Sequence, residues 1–480
     1  MYERLRRTVP LAKKYFYISN KKILSCTSKK ELIIKMLTKI NYEENSRQIS
    51  IRPSIFSGII NSINHISSIL LSNYQIIAYT GDHYGLPNLI NSFQNYDNKL
   101  RFVRFRGSKN NITDIIKSLF TLISILLKRR KIIFTISPQN LKTKILFDGI
   151  HKCAKKRGIE NEIALHQQTL LLNLTITNGL LHSYKDVLKK IKPIFLIAHE
   201  MKYSQNASLA DAAKQLNISS YLISHGTHVS TFDNDQSNYE QKEMANGVLA
   251  STMATFNIVQ SSIAVRAIES FFPELDYIKY DPIMWGYNSN LGMPANSENG
   301  IIHFLHASTF KTIPVTRPWI FESSDEFYEG IKDLIEVVSK IQNVFLTIRL
   351  RPLEECSLIW IQNLVLTTNN VKIKLDGSFI EDLFNSDVLI SNSSTTIEEA
   401  VTLNKNVLLW SHGSRYSHTQ KYTNDRRINS NATSKETLKV EIIKTRNQLL
   451  NGKKENFKQD IKLQKNIDDF VVNSLLFNKE

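Results

Sequence analysis

The sequence predicts an α/β protein built from two parallel-sheet domains. Three observations carry this. The chain has 480 residues, more than one hydrophobic core usually serves. Short β-branched and aromatic runs alternate with amphipathic segments from Gln75 onward, and a second alternating series begins at Ile301. Between the two series, Gly286-Tyr287-Asn288-Ser289-Asn290 through Gly300 is rich in Asn, Ser, Gly and Pro and reads as a linker. Strands alternating with helices imply a parallel sheet covered on both faces.

The first 70 residues read as helices and irregular segments, with one strand candidate at Ile23-Leu24-Ser25. Phe56 to Leu71 has helical spacing. Strand patterns follow at Gln75–Tyr79, Arg101–Phe105 and Ile132–Ile136, with a helix over Ile112–Leu127. Lys185–Lys190 closes a helix and Pro193–Ala198 is a strand. Ser208 and Asp211 are spaced as a capping box that begins the next helix. Strands at Tyr221–Ser224 and Phe256–Gln260 complete the first series. In the second, Ile301–Leu305 is a strand. Ser323 and Glu326 then cap a helix whose apolar residues fall at Phe327, Ile331, Leu334, Ile335 and Val338. Val344–Leu350, Val371–Leu375, Val388–Ile390 and Val407–Trp410 supply further strands, and the tail after Ser434 is polar and helical. The expected division is a first Rossmann-like domain over 1–287, with 1–70 as a helical extension. A linker follows at 288–300, then a second Rossmann-like domain at 301–434 and terminal helices at 435–480.

Composition narrows the class. The longest apolar run, Ser118 to Leu127, is too short to span a bilayer. The segment Met1-Tyr2-Glu3-Arg4-Leu5-Arg6-Arg7 is not followed by the apolar stretch of a signal peptide, so a cytoplasmic location is expected. Cys26, Cys153 and Cys356 are far apart and imply neither a disulfide framework nor a metal cluster. The net charge of +17 favours an anionic partner, although an excess of Lys, Asn and Ile also fits biased codon usage. Basic residues are scattered with few aromatics among them, so no nucleic acid is expected. Lys128-Arg129-Arg130-Lys131, after an apolar helix pattern, has two readings. It is a helix C-terminus with favourable dipole charges, or a peripheral contact with anionic lipid at the inner face of the cell membrane.

Chemistry concentrates in Ser391-Asn392-Ser393-Ser394-Thr395-Thr396-Ile397-Glu398-Glu399-Ala400. The segment follows the strand Val388-Leu389-Ile390 and opens a helix. Small hydroxyl residues at such a turn offer backbone N–H and side-chain O–H groups to a phosphate, and the helix terminus adds partial positive charge. One turn on, Glu398 can reach the two hydroxyls of a ribose. The competing reading is an ordinary capped helix start.

This decad resembles the donor-site signature of the GT-B glycosyltransferase superfamily, shared with the sugar-nucleotide 2-epimerases. The resemblance spans roughly residues 195–425 and implies two Rossmann-like domains facing across a cleft. It also implies a C-terminal helix that crosses back onto the first domain. Ser393, Ser394, Thr395, Thr396 and Glu398 would then grip the donor. His306-Ala307-Ser308-Thr309, with Lys311 nearby, would approach the diphosphate through Ser308, Thr309 and Lys311. Arg349 and Arg351, two apart in a strand pattern, would share a face and suit a diphosphate as bidentate donors. Asp376-Gly377-Ser378-Phe379 would hold the base, with Gly377 and Ser378 giving main-chain contacts and Phe379 lying against the ring. Arg415 and His418, after the last strand, would meet the donor sugar or serve only as surface residues.

In the first domain, Ser224-His225-Gly226-Thr227-His228 follows a strand, and His225 suits deprotonation of an acceptor hydroxyl. The His-Gly-Thr triplet resembles the motif of teichoic-acid glycerophosphotransferases and related surface-polymer transferases. The segments Phe256–Ser262 and Trp285–Asn288 resemble the strand and hinge that follow it. The lysine expected shortly after the triplet is replaced by Val229 to Thr231, which disfavours a glycerol-phosphate donor. A satisfied buried histidine is the other reading of His225. Asp82, in the turn Thr80-Gly81-Asp82-His83-Tyr84-Gly85, is the second-choice base, and Glu200 beside His199 the third. Asp233-Asn234-Asp235 has metal-type spacing but reads as a loop, so no metal and no cofactor beyond the nucleotide-sugar co-substrate are expected.

The resulting expectation is a metal-independent GT-B glycosyltransferase of capsule or cell-envelope polysaccharide biosynthesis. Its partners would be a nucleotide-sugar donor and a glycan or lipid-linked acceptor. A 2-epimerase-like enzyme, a polyol-phosphate transferase and a non-catalytic glycan-binding relative are the alternatives.

Overall fold

A computed structural model describes residues 55–81, 85–108, 111–139, 148, 152, 155, 167–202, 204–224, 226, 241–242, 244–285, 300–308, 324–350, 358–392, 394–412, 427–451 and 463–476. The strand candidate at Ile23–Ser25 and the linker over 288–299 lie outside them.

The first half runs α1 (Ile55–Leu71), β1 (Ile76–Thr80), α2 (Leu86–Tyr96), β2 (Arg101–Gly107), α3 (Ile112–Leu126), β3 (Lys131–Ile136), α4 (Gln167–Ile191) and β4 (Phe195–Ala198). It continues with α5 (Ser204–Gln215), β5 (Ser219–Ile223), β6 (Phe256–Val259), α6 (Ser262–Phe271) and β7 (Ile278–Lys279). The second half has β8 (Ile302–Ser308), α7 (Ser324–Val338), β9 (Val344–Leu350), α8 (Leu358–Val365), β10 (Val371–Lys374) and α9 (Phe379–Phe384). There follow β11 (Val388–Ser391), α10 (Thr396–Thr402), β12 (Asn406–Trp410), β13 (Ile428–Ala432), α11 (Lys435–Asn451) and α12 (Leu463–Leu476).

Both sheets are wholly parallel. The first has the order β3-β2-β1-β4-β5-β6-β7 and the second β10-β9-β8-β11-β12-β13. In each, the chain starts in the middle, winds to one edge, then returns and winds to the other. The direction reverses between β1 and β4 in the first sheet and between β8 and β11 in the second. Ligands of doubly wound sheets bind beyond the carboxyl ends of the strands at such a reversal.

The central strands are apolar on both sides, as helix-covered parallel strands must be. All four residues of β4 and all four of β11 are buried. Five sharp turns that lead from a helix into a strand pass through left-handed backbone at Lys128, Lys192, Asn217, Asn343 and Asn404. Three of these are Asn, whose short polar side chain tolerates that conformation.

The helix α5 begins at Ser204, one turn before the expected start at Ser208. Ser208 is buried inside it and donates to the Thr177 carbonyl of α4 at 3.3 Å, so it bonds helix to helix rather than capping. The polar edge strand β13, the two-residue β7 and helices α2, α6, α8 and α9 were not evident in the sequence.

The last helix, α12, packs on the first sheet's layer. Phe470 meets Phe93 of α2, Tyr221 of β5 and Tyr280 edge-on, and Asn473 donates to the Tyr280 hydroxyl at 3.2 Å. One buried apolar cluster joins Ile77, Phe93 and Ile258 of the first half to Leu389, Ile397 and Leu409 of the second, and takes in Phe470. Beyond β5 and β6, Gly226 and Ser261 meet Thr395 and Glu398 beyond β11. The carboxyl edges of two Rossmann-like sheets therefore face each other, which is the GT-B arrangement.

Candidate active site

The site is built from the second sheet's reversal point. Ser391 ends β11 and its hydroxyl donates to the Ala307 carbonyl at 3.0 Å, tying β11 to β8 where the winding reverses. The chain then turns into α10. Thr395 occupies the N-cap with helical backbone angles and makes no side-chain cap bond. The Ser394 hydroxyl instead accepts from the Thr396 amide at 3.3 Å and from the Thr396 hydroxyl at 3.0 Å. Ser393 lies outside the described residues.

Glu398 sits on the first turn of α10 and is 1% exposed. It turns toward the first sheet, where its Oε2 accepts a hydrogen bond from Ser261 Oγ at 2.5 Å. Ser261 also accepts from the Ala264 amide at 2.9 Å, the N-cap bond of α6. Gly226, just beyond β5, approaches the same residues. Its φ is +132°, and a Cβ there would lie 2.9 Å from Thr395 Cβ and 3.3 Å from Glu398 Oε1. Only glycine lets the backbone pass so close in that conformation.

Gln260 fixes this side of the boundary. Its amide nitrogen donates to the Ser224 carbonyl, and its oxygen accepts from the Ile283 and Met284 amides at 2.6 and 2.8 Å. The sequence pattern alone marks no role for Gln260 or Ser261. Their one signal is a polar pair directly after a buried strand, whose second member is spaced to cap the next helix.

On the opposite edge, Arg349 of β9 donates to the Asp376 carbonyl at 2.8 Å, to the Gly377 carbonyl at 2.5 Å and to the Asp382 carboxylate. Lys374 holds the other oxygen of Asp382 at 2.5 Å. The guanidinium thus fixes the Asp376–Gly377 turn, a role the sequence did not suggest. Gly377 adopts φ +77° there. Ser378 caps α9 by accepting from the Glu381 amide at 3.4 Å, and Phe379 is half-buried against the shared apolar cluster.

His306 and Ala307 belong to β8 rather than to a loop after it, and Ser308 is the strand's last residue. Burial pushes the His306 imidazole down to about 4, so it stays neutral. Beyond β12, His412 bonds Asp333 of α7 at 2.9 Å, and Lys435 approaches the same carboxylate at 3.6 Å.

The first sheet's reversal point is also polar. Gly81 follows β1 with φ +113°, and the His199 ring lies so close that a Cβ on Gly81 would fall 1.7 Å from Nδ1. Burial lowers the His199 pKa, the Arg104 charge adds to this, and a bond to the Thr80 backbone opposes it. Burial raises the neighbouring Glu200 carboxyl, against the Asn206 hydrogen bond at 2.9 Å and the Lys202 charge. Thr80 Oγ1 donates to Asn206 Oδ1 at 2.6 Å, joining β1 to this cluster.

The structure therefore brings Thr395, Glu398 and Gly226 together and places Gly377, Ser378 and Phe379 on one braced turn. Asp82, His225, Thr309, Lys311, Arg351, Arg415 and His418 lie outside the described residues, as does Asp233–Asp235.

No protein-family model matches the sequence, and no curated protein matches it. Solved structures similar to the chain include UDP-GlcNAc 2-epimerase from Neisseria meningitidis bound to UDP-GlcNAc. That likeness has 12% identity and a TM-score of 0.46 over 84% of this chain and 100% of that one. A putative UDP-N-acetylglucosamine 2-epimerase from Listeria monocytogenes has 10% identity and a TM-score of 0.45 over 84% and 94%. A UDP-glucosyltransferase from Polygonum tinctorium has 10% identity and a TM-score of 0.41 over 84% and 99%.

Proposed function

We propose that the protein is a GT-B glycosyltransferase that moves a sugar from a nucleotide-sugar donor to a hydroxyl of a surface polysaccharide or glycolipid. The observation that supports this reading most is Glu398. A carboxylate on the first turn after the central strand is held at the facing carboxyl edges of two parallel sheets, already bonded to a hydroxyl. A ribose offers the same chemistry twice.

In this reading the Ser393–Thr396 turn, with Ser308, Thr309, Lys311 and Arg351, holds the diphosphate. The turn braced by Arg349 receives the base, with Phe379 against the ring. Arg415 and His418 approach the donor sugar. His225 takes the acceptor proton, with Asp82 as the other candidate base. The acceptor oxygen bonds to the anomeric carbon as the bond from that carbon to the diphosphate oxygen breaks. Cationic side chains and backbone N–H groups carry the charge that develops on the leaving group, and the reaction calls for no metal.

Glu200 supports a second reading, epimerisation of a sugar nucleotide without an acceptor. A carboxyl whose proton affinity is raised, at the reversal point of the first sheet, is suited to exchanging a proton with a substrate.

Thermal stabilisation by UDP-, GDP-, CMP-, CDP- and dTDP-linked sugars tests the donor site, since a ligand of the folded state raises stability by mass action. A shift with one base class that disappears in Glu398→Ala is expected. No shift with any of them would remove the basis for both enzymatic readings. Conversion of the bound sugar nucleotide in the absence of acceptor separates the epimerase from the transferase.

A further inference from the structure

Helix α3 is amphipathic with the usual sense reversed, and α1 beside it exposes an apolar stripe although its inner face is mixed. On α3 the buried positions are Asp114, Ser118, Thr121 and Ile125. Ile112, Ile116, Leu119, Phe120 and Ile123 face outward, each between 44% and 66% exposed. On α1, Ser57, Asn64, Ser67 and Ser68 are buried together with Ile60, Ile63 and Leu71, whereas Ile59, Ile66, Ile69 and Leu70 are 39–51% exposed. A helix that only covers a sheet turns its apolar stripe inward.

The buried polar residues of both helices are bonded into the fold. Asp114 accepts from Ser108 Oγ at 2.9 Å and lies 3.9 Å from Arg106. Thr121 donates to the Ile133 carbonyl at 2.5 Å, and Asn64 donates to the Thr135 carbonyl at 2.7 Å. Both helices are thereby anchored to β3, and they pack side by side. Their apolar faces turn away from the sheet together, an expanse of the kind that marks an interaction site.

Charge selects the partner. Neither helix has an exposed carboxylate, because Asp114, their one acid, is buried. Lys117 is exposed on α3, and Lys128 and Arg129 are exposed directly after it. Lys190, at the end of α4, bonds His65 of α1. Among the described residues, no helix is long and apolar enough to cross a membrane. An apolar plane with a basic rim, on helices too short to span, fits the interfacial zone of an anionic bilayer. A second copy would bring one basic rim against another. Residues 1–54 are themselves rich in Lys and Arg, so they too suit lipid headgroups better than this rim.

We propose that the outward faces of α1 and α3 dock the protein on an anionic lipid surface, with Phe120, Ile116 and Ile59 entering the headgroup boundary. The docking stands whatever reaction the cleft performs.

Co-sedimentation of the full chain tests it, using vesicles of phosphatidylcholine alone and vesicles with phosphatidylglycerol added. Binding to the phosphatidylglycerol vesicles that weakens with salt is expected. Phe120→Glu combined with Ile59→Glu should reduce it by about tenfold or more. Their exposed positions should leave the melting temperature unchanged. Lys128→Glu with Arg129→Glu should weaken binding to the anionic vesicles. Absence of vesicle binding by the wild type, or unaltered binding by the Phe120 and Ile59 variant, overturns the proposal. So does a wild-type dimer that this variant converts to monomer without any vesicle association, because a second copy would then cover the face.

Discussion

Ser261 and Glu398 join the two halves of the protein through a single hydroxyl, which caps α6 on one side and donates to a buried carboxylate on the other. The serine hydroxyl stands where a ribose hydroxyl would bind under the proposed function, so the boundary bond and the donor compete for Glu398. Ser261→Ala is therefore expected to lower stability by about 1–3 kcal/mol, through loss of the cap and of a buried carboxylate's partner. The same variant should bind the stabilising nucleotide more tightly. Urea denaturation and a nucleotide titration of the variant measure the two effects. Weaker nucleotide binding in Ser261→Ala would refute the competition.

Under the proposed function, Arg349 supports the donor site by bracing the Asp376–Gly377 turn. Arg349→Ala should raise the donor KM with little change in kcat, since the turn loses its brace while the transferring groups stay in place. Arg349→Lys should fail to restore it, because an ammonium cannot reach two carbonyls and a carboxylate in one plane. Steady-state kinetics of both variants give the answer, and full rescue by lysine would show that charge alone matters.

Gly81→Ala should destabilise the first domain by about 2 kcal/mol or more, from left-handed strain and from collision with the His199 ring. Adding His199→Ala should recover the steric part and leave the backbone part. A double-mutant cycle in denaturant separates the two, and strict additivity would show that the ring is not what the methyl meets.

Buried histidine makes stability depend on pH with a definite sign. His306 is held at about 4 in the folded protein, against 6.5 for the free side chain. Between those values the unfolded chain binds a proton that the folded chain refuses. Its contribution is fully present above pH 6.5 and falls by on the order of 3 kcal/mol as the pH drops to 4. His199 is shifted in the same direction and adds to the trend. His306→Leu should show a shallower loss of the denaturation midpoint between pH 7 and pH 5 than the wild type.

Much of the fold was legible because buried parallel strands announce themselves. Segments such as Phe195–Ala198 and Val388–Ser391 are apolar on both faces, and no other local structure explains them so simply. The strand β13 was not legible, since Ile428-Asn429-Ser430-Asn431-Ala432 is a polar edge strand whose pairing with β12 comes from the backbone. At the candidate site, Glu398 stood out in the sequence because it follows a strand and opens a helix. Its partner did not, because Ser261 lies 137 positions away and meets it only when two sheets face each other. Arg349 was legible as a cation near a strand end, but its role depends on a turn 27 residues further along the chain.

The return of α12 to the first half sets an order on how this protein is made. Phe470 is the aromatic on which Phe93, Tyr221 and Tyr280 converge, yet a ribosome delivers it after the entire second sheet. During synthesis the first half waits with an open hydrophobic seam, and the second half can settle before the first is sealed. A protein cut between α11 and α12 should thus lose solubility in its N-terminal half, although the cut lies far from it in the chain.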